Sequence, residues 1–255
     1  MKIICDTNIW YNLASGAIHD GDIADLELVP TYLSIRELIY TENFVQKGDL
    51  VRQALTAMFR YEHNLLIDPP LLYLSRQKNY KPDEVVSGNM VHLIKVAKLI
   101  IQGSAVDAQY APQVLKFIKA DREPVKEETK ALNNAIIKRE PNIGNRFFEA
   151  ETLILKMING FTKGTIIDLY DFDFKNFDLL VKLTEYFFFK VLETTPTSMK
   201  VNDWNDLGIL AYVSPSNLYW TKDREWLKHI EKAGLGHYLF ERRDGSFHSS
   251  YRSTK

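Results

Sequence analysis

Four acidic residues stand where a folded chain gathers charge at one place. Asp6 closes the apolar run Lys2-Ile3-Ile4-Cys5, which reads as a buried parallel strand. Glu37 opens the helical stretch after a second apolar run, Leu28 to Leu33. Asp206 lies in the first half of a helix-patterned stretch, Asn202 to Val213, one turn after Asp203. Asp223 follows a third strand-like run, Asn217 to Thr221. Each also has a plain structural reading. Asp6 and Asp223 suit helix N-caps. Glu37 lies three residues after Ser34, the spacing of a Ser-x-x-Glu capping box. Asp203 and Asp206 suit the positive end of a helix. Taken together, four carboxylates on one sheet edge carry a cost, because two of them about 4 Å apart repel by roughly 4 kcal/mol at an effective dielectric of about 20. A hard divalent cation relieves that repulsion, and Mg²⁺ or Mn²⁺ suits carboxylates and water. Such an ion also holds a phosphate oxygen and lowers the pKa of a bound water.

The elements that must position these acids fall at the two ends of the chain. Thr7 to Ala14 has helical character, Asp223 to Lys232 reads as a helix and Tyr238 to Phe240 as a last strand. Strands alternating with helices imply a parallel sheet, whose ligands sit at the carboxyl ends of its strands. Asp6 and Asp223 then share one edge. From Thr41 to about Thr195 the pattern is almost wholly helical, punctuated by Pro69-Pro70, Pro124 and Pro141-Asn142. Pro82 precedes an apolar stripe through Val85, Val86, Met90, Leu93, Ile94 and Ala97, and Phe147 to Ile158 and Phe177 to Leu192 supply further helices. The tail, 241–255, is polar and reads as a loose, solvated end.

The quoted motifs resemble those of the PIN-domain nucleases. Cys5-Asp6-Thr7-Asn8-Ile9-Trp10 is similar to the family's opening strand-Asp-Thr-Asn motif. Leu33-Ser34-Ile35-Arg36-Glu37-Leu38 resembles its second motif, Asp206-Leu207-Gly208-Ile209-Leu210-Ala211 its third, and Leu218-Tyr219-Trp220-Thr221-Lys222-Asp223 its fourth. All four occur in family order. The resemblance implies an α/β fold of three layers around a central parallel sheet, with a PIN-like core from 1–45 and 196–242, a large helical insertion over 46–195 and a tail over 243–255. It further implies a metal-dependent nuclease, a ribonuclease by family default, with Asp6, Asp206 and Asp223 on Mg²⁺ or Mn²⁺ and Glu37 completing the site. Asn8 and Thr221 would orient carboxylates or water. Asp203 reads equally as a fifth ligand or as a surface acid. Beside the RNA partner, the family's toxin–antitoxin members suggest a protein inhibitor or a second copy of the chain.

Composition bounds these readings. The 255 residues are 45% hydrophobic and 25% charged, with a formal net charge of -1, so phosphate contacts must come from local cations or bound metal. Lys222 and Arg224 flank Asp223 as candidates, though solvated surface charge fits either one. Cys5, the single cysteine, cannot form an intramolecular disulfide. With no apolar N-terminal segment and no long apolar run, the expected setting is cytoplasmic, with no membrane partner. Two rivals stand beside the nuclease. A catalytically inactive PIN-like scaffold would bind RNA or protein without cleaving. An aspartate-dependent phosphatase wants Asp-x-Asp, and position 8 is Asn8. Gly234-Leu235-Gly236 lacks a third glycine for a dinucleotide fingerprint.

Overall fold

A computed structural model describes residues 1–103, 111–137, 150–162, 171–188, 198–240, 242–243 and 246–247. Three short strands form a parallel sheet in the order β2-β1-β3: β1 is Lys2–Cys5, β2 Glu27–Val29 and β3 Leu218–Trp220. The fold is mixed α/β and mostly helical. Ahead of the middle block come α1 (Thr7–Ala14), α2 (Tyr32–Ile39) and α3 (Glu42–Gln46). The middle block itself supplies α4 (Gly48–Phe59), α5 (Pro70–Ser75), α6 (Glu84–Ile101), α7 (Ala111–Ile137), α8 (Ala150–Thr162) and α9 (Asp178–Tyr186). Two short helices close the chain around β3, α10 (Asp203–Ile209) and α11 (Arg224–Lys232). Among the described residues no helix is long and apolar enough to cross a membrane.

Strand parity builds two cores, one on each face of the sheet. Ile3 and Cys5 of β1, Leu28 of β2, and Leu218 and Trp220 of β3 turn to a core shared with α1, α2, α4 and α6. Ile4, Val29 and Tyr219 turn to the other, shared with α5, α8, α9, α10 and α11. Nearly every strand residue is thus buried, as a parallel sheet covered on both faces requires. Helices of the middle block cover both faces, so they belong to the cores that hold the sheet.

Three local readings change. The second strand stops at Val29 instead of reaching Leu33, because Pro30 has no amide to donate to a ladder. The helix α2 is capped by Thr31, whose hydroxyl accepts from the Ser34 amide at 3.2 Å. Ser34 is therefore inside the helix and not its cap; its hydroxyl donates to the Cys5 carbonyl at 3.1 Å and ties α2 to the end of β1. The final strand shrinks to one parallel bridge between Leu239 and Tyr219, next to a 3-10 turn over Gly236–Tyr238. In the tail, Arg242–Arg243 (β4) pairs antiparallel with Ser246–Phe247 (β5); the rest of the tail, and residues 147–149 and 189–192 of the expected helices, lie outside the described residues.

Candidate active site

The central strand delivers Asp6 to the carboxyl edge of the sheet, where the residue is only 6% exposed. It is a poor helix cap: one carboxylate oxygen accepts from the adjacent Thr7 amide at 2.6 Å. The other accepts from Asn8 Nδ2 at 2.5 Å and from Thr221 Oγ1 at 2.7 Å. Asn8 is held at both ends, its Nδ2 also donating to Thr221 Oγ1 at 3.1 Å and its Oδ1 accepting from the Lys222 amide at 2.9 Å. Asn8 and Thr221 thus orient the Asp6 carboxylate and stitch β1 to the end of β3.

Glu37 reaches the same edge from α2. With Thr31 as the cap, the capping-box role for Glu37 disappears. Its carboxylate instead accepts from the Thr7 hydroxyl and, at 2.8 Å, from Asn205 Nδ2. That second bond joins α2 to α10, which approach closely where Gly208 meets Leu33 and Pro70; a β-carbon at 208 would stand 3.0 Å from Leu33 Cδ1. Asp206 follows on α10. Asp223 caps α11, its Oδ1 accepting from the Glu225 amide at 2.8 Å and the Trp226 amide at 3.1 Å. The cap reading of Asp223 is therefore true of one oxygen. Asp203 lies at the rim, accepting from the Lys200 amide at 2.7 Å. Burial raises its pKa, and the charges acting on it are those of Lys200, Glu225 and His229.

Electrostatics shows that the inner acids feel one another. Burial pushes the Asp6 carboxyl up to about 7, and the charges of Glu37 and Asp223 add to the rise. Burial and the charges of Asp6 and Glu37 push Asp206 up to about 8. Glu37 is raised by burial against the pull of its hydrogen bonds from Thr7 and Asn205 and of the nearby Arg122 and Arg36 charges.

Thr7, Glu37, Asp203, Asp206 and Asp223 line a cleft of about 320 Å³ together with Arg122 and Lys200. One wall is α7. The Asn133 side chain bonds both the amide and the carbonyl of Met199 at 2.9 Å, and Trp204 Nε1 donates to Thr129 Oγ1 at 2.9 Å, pinning α7 to the approach of α10. Lys222 and Arg224, the cations flanking Asp223, are exposed, whereas Arg122 and Lys200 line the cleft. Thr7 and Asn205 sit beside residues the motifs single out, so adjacency could have flagged them. Arg122 carries no sequence signal.

The donors are oxygens of carboxylate type, which fit Mg²⁺ or Mn²⁺ in kind. Among the described residues no three acidic, His or Cys side chains converge tightly enough to enclose an ion by themselves. Fold and site together define a mixed α/β protein with a carboxylate-lined cleft at the carboxyl edge of a parallel sheet. Set against protein-family models, curated proteins and solved structures, the chain has no match.

Proposed function

We propose that the chain is a PIN-like, metal-dependent nuclease that hydrolyses phosphodiester bonds, most readily in RNA. The observation carrying this reading is that Asp6, Glu37, Asp206 and Asp223 come from four separate elements to one edge, where the charges of Glu37 and Asp223 raise the proton affinity of both Asp6 and Asp206. A structural site has no reason to hold that repulsion. Asp6, Asp206 and Asp223 would hold the ion, with Glu37 completing the set and Asp203 at the rim. When bound, the ion supplies positive charge to the phosphate and makes a bound water acidic. The chain's own part is positional. Asn8, Thr221 and the Thr7 amide fix the Asp6 carboxylate, and Asn205 and the Thr7 hydroxyl fix Glu37. Such preorganisation puts charge in place before the substrate arrives.

Labelled RNA and DNA should be cut in Mg²⁺ or Mn²⁺, not in chelator, and Glu37→Gln should slow cutting by about tenfold to a hundredfold, the usual cost of losing a group that supports a metal site. If no strand is cut by the parent in either ion, the nuclease reading fails and the non-cleaving scaffold takes its place.

Metal linkage isolates Asp223. Mg²⁺ or Mn²⁺ at a hundredfold excess over its dissociation constant should stabilise the parent by about 2.7 kcal/mol. Asp223→Asn keeps a good helix cap, so its metal-free stability should stay near the parent's while its metal-induced rise in Tm shrinks. Equal rises in the two proteins, at matched ionic strength, would reduce Asp223 to a cap.

A further inference from the structure

The long helix α7 turns a regular stripe toward the rest of the protein: Leu115, Ile118, Arg122, Val125 and Thr129, at spacings of three and four. Ile118 and Thr129 on it are 2% and 4% exposed, while Lys116, Lys119, Lys126 and Lys130 face solvent. Arg122, half-buried in the middle of that stripe, places a positive charge where it acts on Glu37. Arg122 opens into the cleft and lines it beside Glu37, Asp206 and Asp223. Its Nη2 donates to the Tyr40 carbonyl at 3.4 Å, a long bond for a guanidinium that carries five donors. Lys200, which also lines the cleft, is paired with Glu225 at 3.3 Å. The planar fork of an arginine matches two oxygens of a phosphate. At formal net charge -1 the chain as a whole does not attract a polyanion, so a local cation has to.

We infer that Arg122 is a phosphate-binding residue: from α7 its guanidinium grips a backbone phosphate of a nucleic-acid strand opposite the carboxylates. The middle block then contributes to substrate binding as well as to the cores. This inference rests on the nuclease reading and deepens it.

The test uses Asp206→Asn as a non-cleaving background. Anisotropy of short labelled single-stranded RNA and DNA is followed over a salt series in Mg²⁺. Adding Arg122→Ala should weaken binding about tenfold or more and flatten the slope of log affinity against log salt by about 0.7, the loss of one phosphate contact to a single strand. Arg122→Lys should keep the slope and lose part of the affinity. Should Arg122→Ala lower Tm, Arg122→Gln replaces it, and Gln must lose the slope that Lys keeps. In the cleaving protein, Arg122→Ala should raise KM more than it lowers kcat. If the parent cleaves but Arg122→Ala leaves affinity, slope and KM unchanged, Arg122 is only a tether to Tyr40 and a counter-charge to Glu37, and this inference alone is overturned. If the background protein binds neither strand and the parent cuts neither, the nuclease reading falls and this inference falls with it.

Discussion

Asp206→Asn should stop cleavage and, with metal removed, raise Tm. Both effects come from the same charge. Losing one ligand forfeits several kcal/mol of charge stabilisation, and each 1.36 kcal/mol is tenfold in rate, so a fall of about a hundredfold or more is expected. Without metal, the folded Asp206 is buried beside Asp6 and Glu37 and holds its proton up to about pH 8, against the ordinary aspartate value of 3.8. Between those limits the folded state binds a proton that the unfolded chain has released. Stability therefore falls as pH rises through that window, and the whole penalty is in force above about 8. Asn carries no such penalty and can still accept from the Trp226 side chain, whose hydrogen bond opposes the rise at Asp206. The gain in Tm over the parent should be small at pH 5 and largest near pH 8 to 9, in chelator. Asp6→Asn is a poorer probe of the same idea. Both Asp6 oxygens accept hydrogen bonds, from Thr7, Asn8 and Thr221, so an amide there meets a donor wherever it points. A variant at 206 that is less stable than the parent at pH 8 in chelator would mean that the acids do not repel as described.

The acids were legible because strand ends are legible. A run such as Lys2–Cys5 ending in Asp6, and Leu218–Trp220 followed by Thr221 and Asp223, marks the carboxyl edge of a parallel sheet without any knowledge of the rest. Glu37 was legible only in part. Ser34 at the right spacing suggested a capping box, yet Thr31 caps the helix, and what Glu37 meets is Asn205, 168 residues away. A partner that distant leaves no local trace. The apolar run from Leu28 to Leu33 overstates the second strand, because the missing amide of Pro30 ends the ladder at Val29. Arg122 was invisible for a different reason. In sequence it sits among Lys116, Lys119 and Lys126 as one more surface cation, and only the burial of Ile118 and Thr129 shows which face of α7 turns inward.

Leu55→Ala should destabilise the protein by about 2 to 5 kcal/mol, although Leu55 lies in the middle block far from every motif. It is fully buried on α4 with Val51, Ala54 and Met58, in the core that also holds Ile3, Cys5, Ile9 and Trp10. Those are the residues on either side of Asp6 in sequence. A cavity beneath them removes packing from the strand and helix that aim the carboxylate, so the metal-free unfolding transition should shift as one cooperative event. A module that folded apart from the sheet would behave otherwise, giving a separate transition for the helices and leaving the one that reports the sheet in place. Leu99→Ala is the matched control. Leu99 is 52% exposed on α6, so the same chemical change there should fall within about 0.5 kcal/mol of the parent. Chemical denaturation followed at once by tryptophan fluorescence, which reads Trp10 and Trp220 in this core and Trp204 and Trp226 in the other, both against the sheet, and by far-ultraviolet circular dichroism, which reads the helices, distinguishes the two cases. Coincident curves shifted together place α4 in the scaffold of the site; curves that separate, with fluorescence unmoved by Leu55→Ala, would make the middle block a distinct folding unit.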